Sequence, residues 1–213
     1  MHRVLSIMPR QSFRPVMFLL VLGSTGLLGL AFRGMHPLRA MTTLQDVGPL
    51  PDFSFTDQEG HRIRRADLLG SVWIADFIFT RCAGQCPLMS AQMATLQNTF
   101  DPVPGVQFIS FTVDPLHDTP TVLRTYAEHY GARNTRWHFL TGDHAAIVTL
   151  AQDGFHLGVA EGGSSQEPIT HSIRLVLIDQ RGHVRGSYDA TEAEAMHRLI
   201  RDARQLSSTT SSP

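Results

Sequence analysis

Cysteine is scarce: 213 residues hold two, Cys82 and Cys86. Two thiols exclude a multi-bridge disulfide framework and leave either one redox pair or two metal ligands. An excess of one charge is also missing. With histidine neutral the net charge is -1, which gives nucleic acid no electrostatic hold. No stretch repeats another. Long charge-free apolar runs are absent but for one, residues 16–32, VMFLLVLGSTGLLGLAF.

As a helix that run spans about 25 Å, the short end of what a bilayer needs. Arg3, Arg10 and Arg14 precede it, and Arg33 and Arg39 follow. The bias places the N-terminus on the cytoplasmic side. No small-x-small site follows the run and Arg33 abuts it, so it reads as an uncleaved anchor; a cleaved signal peptide is the alternative. In either case the remainder is exported. The chain divides into a cytoplasmic tail (1–15), a transmembrane anchor (16–32), a linker (33–47), one domain (48–206) and a Ser/Thr-rich tail (207–213) that reads as disordered.

The two thiols sit where an apolar run, 72–79, gives way to a helical stripe of Met89, Met93, Leu96 and Phe100. The run reads as a buried strand and the stripe as one helix face. Pro87 suits a first helical turn. A helix N-terminus favours thiolate, so both sulfurs are expected to ionise below the ordinary thiol range. Residues 83–85, Ala-Gly-Gln, read as an open turn. The plain alternatives are two buried structural thiols or a disulfide pair without metal.

Around this junction the pattern is α/β. Phe53 to Ile63 reads as a hairpin with its turn at Asp57-Gln-Glu-Gly60. Residues 106–113 are a second buried strand. Thr119 caps a helix that opens on Pro120 and ends at Gly131. A strand follows at 137–140, a helix at 143–152 and a short strand at 155–160. After a polar loop, 161–170, come strands at 172–179 and 183–188. A closing helix is expected to open at Asp189, with Glu192 completing a capping box. Parallel strands come first and an antiparallel hairpin closes a central mixed sheet flanked by helices. A thiol pair after the first core strand is the thioredoxin layout.

Three stretches resemble the Sco/SenC copper proteins. Phe77-Ile-Phe-Thr-Arg-Cys-Ala-Gly-Gln-Cys-Pro87 is similar to the family's FxxTxC-x3-CP segment. Val113-Asp-Pro-Leu-His-Asp-Thr-Pro120 resembles its VDPxxDTP segment. His171 stands before the strand Ser-Ile-Arg-Leu-Val-Leu-Ile-Asp, like the family's late histidine, although Thr170 replaces the usual aspartate. The resemblance spans about 48–205.

It implies a thioredoxin-like domain that holds Cu(I) or Cu(II) on Cys82, Cys86 and His171. It implies delivery of that copper to the copper-carrying subunit of cytochrome c oxidase, from the outer face of the cytoplasmic membrane. The alternative from another class is a thiol–disulfide oxidoreductase acting on the oxidase cysteines or another exported protein, with a thiol reductase as possible partner. Asp114, His117 and Asp118 read as turn and capping chemistry, with His117 a possible extra metal contact. Met89 and Met93 read as core. His138, His144 and His156 read as surface or satisfied core residues.

Overall fold

The computed structural model describes residues 44–133, 135–157, 159–161, 169–171 and 173–209, with the backbone path alone for 159–161 and 169–171. The expected tail 1–15 and anchor 16–32 lie outside the described residues, as do most of the linker 33–47 and residues 210–213. Among the described residues no helix is long and apolar enough to cross a membrane.

In chain order the elements are β1 (Gly48–Pro49), β2 (Ser54–Thr56), β3 (Arg62–Arg64), a 3-10 turn (Arg65–Leu68), β4 (Val72–Ile78), α1 (Cys86–Thr99), β5 (Val106–Thr112), α2 (Pro120–His129), β6 (Trp137–Leu140), α3 (His144–Thr149), a π turn (Leu150–Gly154), β7 (Val159–Glu161), β8 (Ile169–His171), β9 (Arg174–Ile178), β10 (His183–Asp189) and α4 (Ala193–Ser208). The central sheet has six strands in the order β1-β10-β9-β4-β5-β6. β5 is parallel to β4 and to β6, whereas β9 and β10 run antiparallel. β2 and β3 form the expected hairpin, with Phe55 opposite Ile63. β7 and β8 form a second hairpin.

β4 is the middle of this architecture. All seven of its residues are buried, as a strand requires when neighbours flank both edges and layers cover both faces. Side chains alternate across it. Trp73 and Phe77 join Phe53, Phe111 and Phe155 in an aromatic cluster on one face. Ile74, Asp76 and Ile78 take the other. A fully buried strand at the sheet centre therefore leads into the thiol turn, and its rigidity fixes where the thiols stand.

Four details depart from the sequence reading. The strand expected at 155–160 is displaced: Phe155 closes the π turn, its N–H donating to Leu150 O at 3.0 Å, and β7 starts at Val159. The β8 strand occupies the end of the expected polar loop. Asp189 does not cap α4. It ends β10, and its Oδ1 accepts from Thr191 N–H (2.8 Å) and Thr191 hydroxyl (2.6 Å), so the helix starts only after Glu192. Ser207 and Ser208 extend that helix rather than opening the tail, their hydroxyls donating to Ala203 O and Gln205 O.

Candidate metal centre

β4 delivers Phe79-Thr80-Arg81 to the edge of the sheet, and the chain then turns sharply. Cys82 N–H donates back to Phe79 O at 3.2 Å. Ala83, Gly84 and Gln85 are exposed, as expected for an open turn. Cys86 is the first residue of α1 and Pro87 the second. Three intervening residues and the start of a helical turn bring both sulfurs to one side, within hydrogen-bonding reach of each other. Neither is in a disulfide. Cys82 keeps 9% of its surface and Cys86 none.

That burial corrects one expectation. The Cys86 thiol is pushed up, not down. Removal from water is the largest cause, the Cys82 sulfur adds to it, and a backbone contact from Phe79 offsets only part. The partial charge of a helix end acts over one turn and is worth under about 1 kcal/mol at exposed positions. Loss of hydration outweighs it for a thiol with no exposed surface.

The loop after β5 braces this turn. Asp118 is fully buried. Its Oδ2 accepts from Thr80 N–H at 3.1 Å and its Oδ1 from the Thr80 hydroxyl at 2.5 Å. The Thr112 hydroxyl donates to Oδ2 as well. A buried carboxylate needs such partners, and here two of the three come from the residue two before Cys82. Asp114 holds the next residue. Arg81 Nη2 lies 2.7 Å from Asp114 Oδ2, and His117 Nδ1 lies 2.8 Å from Asp114 Oδ1. Burial alone would raise the Asp114 carboxyl; hydrogen bonds from His117 and Arg81 outweigh it and hold the group below its usual range. Arg81 Nη2 is also 2.9 Å from His117 Nδ1. That nitrogen can donate to Asp114 or accept from Arg81, not both.

α1 is fixed from the other side. Ser90 Oγ, one turn after Cys86, lies 2.9 Å from the Tyr126 hydroxyl of α2. Met89 and Met93 have no exposed surface, consistent with core roles. His138 is satisfied by Asp57 at 3.3 Å, and His156 is exposed.

His171 ends β8, its backbone opposite Val159. The side chains described thus bring together Cys82 and Cys86, while the imidazole of His171 lies outside them. Among the described residues no three His, Cys, Asp or Glu side chains are grouped to hold a metal.

Two residues of this centre escaped the sequence reading. By sequence Asp118 is turn chemistry; in the fold it braces the thiol turn. Asp76 is hidden inside an apolar run, and its one sequence signal is being the single acid among VWIADFIF. It has no exposed surface, and neither carboxylate oxygen has a hydrogen-bond partner.

The SCO1/SenC family model matches residues 42–206. A SCO1 protein homolog of Bacillus subtilis (strain 168) is 32% identical over 157 residues, covering 73% of this chain and 81% of that protein. The structure of a SCO1/SenC family lipoprotein from Bacillus anthracis str. Ames superposes with a TM-score of 0.69 at 34% identity, over 79% of this chain and 98% of the other. BsSco, described as a member of the Sco family of cytochrome c oxidase assembly proteins with a disulfide switch, gives 0.69 at 30% identity, over 78% and 98%. Yeast Sco1 with copper bound shares the fold, with a TM-score of 0.59 at 21% identity over 74% of this chain and 89% of the other. The thiol pair of this chain, set at the strand-to-helix turn of that fold, belongs to a protein of the SCO1/SenC family.

Proposed function

We propose that this protein is a membrane-anchored copper chaperone that holds its cargo on Cys82, Cys86 and His171 and delivers it to the dinuclear copper centre of cytochrome c oxidase. The observation that carries this reading is the pair of unbridged thiols side by side on a braced turn. Thiolates are soft donors suited to Cu(I), and an imidazole adds a nitrogen donor that Cu(II) favours. Topology supports His171 as that donor. β9 runs antiparallel to β4, so the start of β9 lies level with the end of β4, and His171 precedes β9 by three residues. Relatives named for copper and for oxidase assembly agree with the cargo and the recipient.

The chain's own groups divide the work. Cys82, at the rim, is the sulfur a recipient thiolate can approach first. Cys86, fully buried, retains the cargo until Cys82 has exchanged. Asp118 and Asp114 keep the turn from opening. Residues 16–32 hold the domain at the outer face of the cytoplasmic membrane, within reach of the oxidase.

A second reading, a thiol–disulfide reductase acting on the recipient's cysteines, is favoured by the same proximity of the sulfurs and by the disulfide switch described for BsSco. A reductase needs the thiols and not the imidazole. Oxidase assembly in cells lacking the wild-type protein separates the two. The chaperone reading predicts that Cys82→Ser and His171→Ala both fail to restore assembly. Restoration by His171→Ala, with Cys82→Ser inactive, would replace it with the reductase.

A further inference from the structure

Charge is spread unevenly over this chain. All 19 acidic residues lie at or after Asp46, whereas five of the 18 basic ones precede it. The domain is therefore net acidic. One surface reverses that sign. Arg198, Arg201 and Arg204 are exposed on α4. Residues three apart are neighbours on a helix surface, so the three form one basic face. The opposite side of α4, with Met196, Leu199 and Ala203, is buried.

Two ordinary roles for these arginines are not filled. A helix dipole is offset by cations in its last turn, and the last turn of α4 holds none. Nor does the helix neutralise them. Glu194, one turn before Arg198, faces His197 at 4.0 Å instead. Arg201 Nε is 3.6 Å from Asp202 Oδ1, but the other oxygen of that carboxylate takes the Tyr188 hydroxyl at 2.9 Å. Arg204 lies over the Phe100 ring, 6.0 Å from its centre, where α1 ends. α1 contributes no charged side chain, and Asp101 beyond it is engaged by Arg133 and Arg136.

We propose that the arginine face of α4 docks the domain on an anionic phospholipid surface. Guanidinium groups match phosphate oxygens in charge and in forked geometry. The place of the face in the fold points to a membrane. The chain enters the domain at Leu44 to Asp46, strapped to the start of β10: Arg185 donates to Gln45 O at 2.7 Å and His183 Nδ1 lies 2.8 Å from Asp46 Oδ1. The β9–β10 turn joins this entry to the end of α4. Arg181 Nη2 lies 3.6 Å from Asp46 Oδ2, and Gln180 Nε2 donates to Leu206 O at 2.8 Å. The basic face thus ends beside the point where the tether arrives. The inference rests on the membrane-anchored reading for that tether. On it, residues 33–43 reach at most about 40 Å, which keeps the domain near the bilayer. Salt screens all but the nearest charges, so the acidic remainder of the domain does not prevent contact through one basic face. It disfavours contact through the others.

The test uses the full chain in bilayer nanodiscs of phosphatidylcholine, alone or mixed with phosphatidylglycerol. Phenylglyoxal modifies exposed arginines, and peptide mass spectrometry gives the rate at each. Arg62 serves as reference, because its hairpin packs on the aromatic side of the sheet and α4 on the other, where Tyr188 meets Asp202. In the anionic discs at about 0.1 M salt, Arg198 and Arg201 should react about fivefold more slowly than in phosphatidylcholine, with Arg62 unchanged. At about 1 M salt the difference should vanish. In Arg198→Gln/Arg201→Gln, Arg204 should lose its protection. Both substituted side chains are exposed and glutamine is a good helix former, so the fold is kept.

Equal rates at Arg198 and Arg201 in the two bilayers would overturn the proposal. So would protection that appears in neutral discs only after the copper-carrying oxidase subunit is added, which would assign the face to a protein partner. The anchor is judged separately. A chain that leaves phosphatidylcholine discs in high salt overturns the anchored reading. If that chain still binds phosphatidylglycerol vesicles at low salt with Arg198 and Arg201 protected, the docking face stands without it; if it does not, both fall.

Discussion

Asp118 and Thr80 are joined twice: one carboxylate oxygen accepts the Thr80 hydroxyl at 2.5 Å and the other its N–H at 3.1 Å. The two residues are 38 apart in sequence. This contact ties the loop after β5 to the turn that presents Cys82. Removing the carboxylate leaves the half-buried Thr80 N–H and the buried Thr112 hydroxyl without their acceptor. Asp118→Ala should destabilise the domain by roughly 2–4 kcal/mol. Thr80→Val, which loses only the hydroxyl, should cost about 1 kcal/mol. Urea unfolding of the two variants gives the comparison, and equal losses would show that the backbone contact is not braced by Asp118.

Asp76 carries an opposite lesson about stability. Its carboxyl is raised from 3.8 to about 7 by burial. Between those values the folded protein holds a proton that the unfolded chain has released. Stability from this group is therefore greatest at low pH, falls as pH rises through that window and stays low above it. Asp76→Asn cannot ionise and lacks this slope. Relative to wild type it should gain roughly 4 kcal/mol between about pH 4 and about pH 8. Thermal or urea unfolding at both pH values checks it; a difference that does not change with pH contradicts it.

The two sulfurs should differ in reactivity. Cys82 retains some surface and Cys86 has none, with burial holding the Cys86 thiol protonated. Iodoacetamide should label Cys82 at least about tenfold faster than Cys86 in the folded protein, because Cys82 keeps access to solvent while burial holds the Cys86 thiol protonated. Peptide mapping of partly labelled protein reads the ratio directly. Equal labelling would mean that the turn opens on the time scale of the reaction.

Much of this was legible in the sequence. The strand-turn-helix around Cys82 and Cys86 announces itself by an apolar run, Pro87 and a clean stripe. Thr119 at the α2 N-cap was equally plain, and its hydroxyl does accept from Val122 N–H. What the sequence hid depends on distance. Asp118 looks like any loop acid until Thr80 is brought beside it. Cys86 looks activated because helix position can be read from sequence, whereas burial of a single sulfur cannot. Asp189 had the right spacing for a cap, but Thr191 captured its carboxylate first.

The central claim is that this chain binds copper through an imidazole as well as two thiolates. Two sulfurs alone can hold Cu(I), so the more telling ion is Cu(II), which prefers nitrogen donors. The measurement is the Cu(II) affinity of reduced, purified His171→Ala against wild type, by competition titration at neutral pH. The account predicts a loss of about 100-fold or more. An unchanged Cu(II) affinity would contradict it and remove His171 from the site.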